Sequence, residues 1–160
     1  MAEQEIHFLT RDSPADWTLV PQVLVRAAMF CRKYDADTTP ESLCQSIMEH
    51  FVCEPGRQSV RAMVAVQDGV LVGHLLLSLD HWCGTMFCTV VQYESDQPLE
   101  HAKVLAAFDD IAAWARGKGA TILRLLAIGD DGRAAARVRL FQRVFGFQPR
   151  RIMLDKLLGV

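Results

Sequence analysis

Tyr93-Glu94-Ser95-Asp96 sets a phenol and two carboxylates at the end of an apolar run. A carboxylate there takes a proton from an amine if burial raises its pKa, which makes Glu94 the candidate base and Tyr93 its companion. The plainer reading is a polar strand-to-helix turn with a helix cap, because acidic residues gather at helix starts. Basic groups carry the other candidate chemistry. His101 and Lys103 open the next segment, and Arg133, Arg137, Arg139 and Arg143 come later. Arg133 and Arg137 are four apart, as are Arg139 and Arg143, so each pair forms a ridge on a helix. Arg150 and Arg151 follow. Arginine grips phosphate or carboxylate with two donors at once, so this group suits an anionic ligand or an acidic protein surface. Phe141 and Phe145 read as core residues, so the aromatic interleaving of single-strand binders is missing and nucleic acid is the weaker partner.

His81, Cys83 and Cys88 match no zinc spacing and lack a fourth ligand, so no metal is expected. Five cysteines without a C-x-x-C pair fit reduced, buried thiols and a cytoplasmic setting. The acidic N-terminus leads into no apolar stretch of a secretory signal, and no run approaches the ~20 residues of a membrane span. Charge is divided along the chain. Residues 1–115 hold 7 Lys/Arg against 16 Asp/Glu, a balance of −9, whereas residues 116–160 hold 10 against 3, a balance of +7. A basic surface for an acidic protein, or for the acidic part of a second copy, is one reading; a solvated helix face is the other.

The elements that position these groups follow from pattern. With 51% apolar residues in 160, the chain suits one packed domain over residues 1–160. Glu5–Thr10 reads as a strand. Asp12-Ser13-Pro14 starts a helical stretch through Tyr34, with Pro21 as a break or fresh start, and Thr39-Pro40-Glu41 starts another whose stripe is Leu43, Ile47, Met48 and Phe51. Val60–Val66 and Val70–Leu79 flank Asp68-Gly69, a hairpin signal. Thr85–Tyr93 is a third strand, and a helix follows whose apolar positions include Val104, Leu105, Phe108, Ile111 and Trp114. Ile122–Ile128 is a short strand, and Arg133–Phe145 a helix stopped by Gly146 before a last strand. The expected class is α/β (α+β), with a mixed, mostly antiparallel sheet flanked by helices.

Trp114–Ala120 followed by Ile122–Ile128, the ending Leu140-Phe-Gln-Arg-Val-Phe-Gly-Phe147 and the hairpin Val64–Gly73 occur in an order that resembles the GCN5-related N-acetyltransferase (GNAT) fold. The resemblance covers roughly residues 5–158. It implies acetyl-CoA held between two splayed strands, with the pyrophosphate in a loop of the type Q/R-x-x-G-x-G/A at the next helix. That loop falls near Leu99–Val104, where there is no glycine, Glu100 brings a negative charge and Val104 a branched side chain. The helix tyrosine that serves as general acid falls on Gln142, or on Phe141 one step away, and its companion asparagine on Ala135. The expectation is therefore a degenerate GNAT-like protein with no cofactor, acting as a structural or protein-interaction subunit, as resembling bacteriophage proteins do, some of them in the virion. The alternative is an active N-acetyltransferase with an atypical acetyl-CoA site, in which His101, Lys103, Arg133 and Arg137 meet the phosphates and Glu94 is the base.

Overall fold

The computed structural model describes residues 3–34, 38–126 and 133–148, and in the last of these no side chain at 133, 134 or 137. The order is β1 (Gln4–Phe8), α1 (Pro14–Tyr34), α2 (Pro40–Val52), β2 (Val60–Gln67), β3 (Val70–Trp82), β4 (Thr85–Ser95), α3 (His101–Gly117), β5 (Ile122–Leu125) and α4 (Arg133–Phe145), with a short 3-10 turn at Pro55–Arg57. The strands lie in the order β1-β2-β3-β4-β5; the first four are antiparallel and β5 joins β4 in parallel. The chain forms two compact units, residues 1–126 and 127–160.

In the first unit, Asp68 and Gly69 both hold positive φ, 51° and 77°, the backbone a tight hairpin between right-twisted strands demands. Cys83 and Gly84 make a second such turn, with φ 48° and 80°. It lets β3 run to Trp82, three residues past the expected Leu79. Thr39 caps α2 by accepting from the Ser42 N–H, as its position before Pro40 implies. Pro21, however, does not break the first helix, which continues unbroken from Pro14 to Tyr34. A proline inside a helix costs about 3 kcal/mol. Here Leu19, Val20, Val23 and Ala27 lie on both sides of it and are buried in one core, which holds the helix together.

Alternation along the strands divides the burial. Ala62, Val64 and Leu76 face α1 and α2, where Val23, Ile47 and Phe51 complete the core. Met63 and Leu75 point the other way, toward Phe108 and Ile111 of α3. In the second unit, Phe141 is buried, and its ring meets those of Phe145 and Phe147 at 5.3 Å each. Arg139 and Arg143 are exposed on α4. The last strand expected after Gly146, with Arg150 and Arg151, lies outside the described residues, as do the final residues of the run Ile122–Ile128.

Candidate functional site

The site grows from an irregularity in β4. Gln92 pairs with Leu76 and Val90 with Leu77, so Val91 is an extra residue that bulges the strand. On the other edge of β4, β5 pairs only from Phe87–Ile122 to Val90–Leu125, and the Leu126 N–H donates to the Val90 carbonyl at 3.1 Å. From Val91 to Ser95 that edge has no partner strand among the described residues. A row of unpaired N–H and C=O groups is a ready template for an extended ligand.

The open edge leads directly into the start of α3, and a set of polar bonds fixes that corner. Arg26 of α1 pairs with Asp96 and donates to the Leu71 carbonyl at 3.1 Å. The Asp96 N–H donates to the Val72 carbonyl at 2.9 Å, and Gln97 donates to the Gln67 side chain. Gln4 of β1 accepts the Glu100 N–H at 2.7 Å through its side chain, and its carbonyl accepts from Lys103. Close packing adds to this: a Cβ at Gly73 would come within 3.1 Å of the Glu94 carbonyl, so only glycine fits there without displacement.

Glu94 and His74 are opposite each other on β3 and β4, on the face that carries α1. Glu94 is partly buried and its carboxylate makes no hydrogen bond or ion pair among the described residues, so it is available to an incoming ammonium group. Beside it, Gln92 donates to the Ala27 carbonyl at 3.3 Å and to Cys31 Sγ at 3.4 Å. Its side-chain oxygen therefore faces His74 Nε2, at 3.1 Å, and Nε2 carries the imidazole proton. Nδ1 is buried and without a partner. Tyr93 alternates to the opposite face, across from Leu75, and lines a cleft under α3. The two side chains proposed to act together are thus separated by the sheet.

Burial holds the His74 imidazole below its usual pKa of 6.5; Arg26 pushes the same way, while the Gln92 bond and the Glu94 and Asp96 charges oppose them. The sign of the consequence is fixed. The unfolded chain takes up this proton near pH 6.5 and the folded chain only at lower pH, so stability is full above that value and declines below it. The slope approaches about 1.4 kcal/mol per pH unit until the folded pKa is reached. Urea midpoints of the parent and of His74→Gln, compared from pH 7.5 to 5.5, should diverge, with the parent losing more.

His101 is exposed and Lys103 partly so, both in the first turn of α3. The side chains of Arg133 and Arg137 lie outside the described residues. Val104 does not obstruct the helix entrance as expected: it is one turn in and lines the cleft between α3 and the sheet. Because α3 starts at His101, Gln97-x-x-Glu100-x-Ala102 meets the spacing Q/R-x-x-G-x-G/A with the first and last positions kept and only the middle glycine replaced. That match was present in the sequence and was missed by placing the loop two residues late. Glu100 itself has φ −63° and ψ 120°, ordinary for any L residue, and its carboxylate is 3.2 Å from Lys103. The donor set suits a CoA-type ligand: an open strand edge for its amide arm, and first-turn N–H groups with a lysine for its diphosphate.

Cys88 is fully buried, and burial, with a smaller contribution from Asp80, pushes its thiol up to about 11. Burial also raises Cys44. Neither has the lowered pKa of a nucleophile. Among the described residues, no three His, Cys, Asp or Glu side chains are grouped to hold a metal. No described helix is long and apolar enough to cross a membrane.

This architecture is the GNAT fold: a mostly antiparallel five-stranded sheet with a parallel fourth and fifth strand, in a chain with four helices among its described residues. The chain is similar to the aminoglycoside N-acetyltransferase AAC(6')-Iy in complex with CoA, at TM-score 0.65 and 10% identity over 98% of this chain and 96% of that one. An aminoglycoside acetyltransferase from an uncultured soil metagenomic sample aligns at TM-score 0.64 and 11% identity, over 98% and 99%. A ribosomal-protein-alanine N-acetyltransferase from Brucella melitensis biovar Abortus 2308 aligns at 0.57 and 13%, over 96% and 100%. No protein-family model matches the sequence, and no curated protein matches it. Identities this low speak for the fold.

Proposed function

We propose that the protein is an acyl-CoA-dependent N-acyltransferase with a modified diphosphate seat. One observation carries the reading: β4 bulges at Val91 and, among the described residues, keeps an unpaired edge from there to Ser95, ending at the N-terminus of α3. The resemblance of the whole fold to acetyltransferases, one of them bound to CoA, supports it. The backbone of residues 91–95 would hold the amide arm, and the first turn of α3 with Lys103 the diphosphate. Acyl-CoA, when bound, supplies an acyl group activated as a thioester. Glu94 takes a proton from the acceptor ammonium onto its carboxylate and leaves the amine nucleophilic. Gln142 cannot protonate a departing thiolate, so that proton comes from water.

A second reading rests on Glu100 and Gln142. A carboxylate at the diphosphate seat and an amide in place of a phenol favour a GNAT-fold protein without acetyl-CoA chemistry, acting as a structural or interaction subunit, a virion component among them. The exposed Arg139 and Arg143 would then meet an acidic protein surface or a second copy. Acetyl-CoA titration separates the two. A ligand at a hundred times its Kd should stabilise the fold by about 2.7 kcal/mol, seen as a saturable rise in Tm. An unchanged Tm at millimolar acetyl-CoA would leave the second reading standing.

A further inference from the structure

Polar groups at the diphosphate seat are already engaged within the chain, and the end of one strand engages them. The Gln4 side-chain oxygen accepts the Glu100 N–H at 2.7 Å, and the Gln4 carbonyl accepts from the Lys103 ammonium. Lys103 also faces the Glu100 carboxylate at 3.2 Å, so its charge is balanced as well as bonded. Gln67, across from Gln4 on β2, accepts from the side chain of Gln97, the first residue of the spacing Gln97-x-x-Glu100-x-Ala102. A glutamine oxygen meets an N–H as a phosphate oxygen does, but without a net charge. Gln4 thus stands where a diphosphate oxygen would accept.

These bonds are placed so that they can open. Gln4 is the first residue of β1, and the pair Gln4–Gln67 is the end rung of the ladder between β1 and β2. The rungs from Glu5–Val66 to Phe8–Met63, and the bond from the Leu9 N–H to the Ala62 carbonyl, hold β1 without it. An end rung opens at far lower cost than a whole strand. Yet Gln4 is buried, so at rest it is seated against the corner. A charged diphosphate makes stronger hydrogen bonds to N–H and ammonium groups than a neutral amide does, so it can take both partners over.

We propose that Gln4 is a latch on the diphosphate seat: it occupies the Glu100 N–H and Lys103 until a CoA-type ligand displaces it, and so sets the affinity for that ligand. The latch rests on the acyltransferase reading of the same corner. It differs in sign from a purely structural role. If Gln4 only braced the corner, removing its side chain would weaken binding. With a latch, removal tightens binding, because a larger fraction of the chain is then open to the ligand.

Calorimetric titration of the full chain with acetyl-CoA compares the parent with Gln4→Ala and Gln4→Glu. Gln4→Ala should bind about three- to tenfold more tightly, the worth of one released hydrogen bond. Gln4→Glu keeps the shape and the acceptor but adds a charge beside Lys103, so it should bind at least about tenfold more weakly. Equal affinity across the three chains, or weaker binding by Gln4→Ala, would overturn the latch and leave the acyltransferase reading in place. Failure of all three to bind at millimolar acetyl-CoA would overturn both. Binding by Gln4→Ala alone would support both. In a 15N-labelled parent, saturating acetyl-CoA should also move the backbone amide signal of Glu100 as Gln4 lets go. A Glu100 signal that stays in place on saturation would overturn the latch, whether or not the variants fold.

Discussion

Glu94→Gln should lower acyl-transfer turnover by about 10²–10⁴-fold, the usual worth of a positioned general base. The substitution keeps the shape of the side chain and removes only its ability to take a proton. The Glu94 carboxylate makes no ion pair or hydrogen bond among the described residues, so stability should stay within about 0.5 kcal/mol of the parent. Acetyl-CoA affinity should also persist, because the strand edge and the α3 N-terminus are backbone features. Pre-steady-state thiol release with a panel of primary amines is the measurement. Unaltered turnover in the variant would move the base elsewhere, and Tyr93, on the opposite face of the sheet, could not replace it at the same reacting atom.

The second large effect concerns stability. Leu76→Ala should cost about 2–5 kcal/mol, through lost burial and the cavity left behind. Leu76 is fully buried at the middle of β3 and packs in the core that α1 and α2 close. Its neighbours are fixed on both sides: Ala62 is across from it on β2 and Gln92, tied to α1, on β4. Little room for collapse remains, which places the expected cost in the upper half of that range. Urea unfolding followed by circular dichroism should show a lower midpoint with an unchanged slope. A loss under 1 kcal/mol would mean that the α1–sheet interface is far more plastic than its packing implies.

Local signals in the sequence were reliable where one residue type decides the backbone. Asp68-Gly69 makes the expected turn, Thr39 caps α2, and α4 stops before Gly146. The order of elements sufficed for the fold. Pro21 misled because local propensity opposes a helix there while the buried residues around it favour one, and packing wins. The site was less legible because its defining features are relations between distant segments. The Val91 bulge comes from the register of two strands and has no mark of its own in sequence. Gln4 satisfies Glu100 from 96 residues away. Tyr93 and Glu94 are adjacent in the chain and therefore looked like partners, although strand alternation sends them to opposite faces.

The edge of β4 from Val91 to Ser95, unpaired among the described residues, has a further consequence for solubility. Exposed strand edges recruit like strands from other molecules, and charged side chains at such edges are a common defence. Glu94 stands at this one, whereas Asp96 is neutralised by Arg26, and two copies approaching edge to edge would bring their Glu94 charges together. The carboxylate assigned to proton transfer thereby also discourages self-assembly, so selection for monodispersity alone would tend to preserve it.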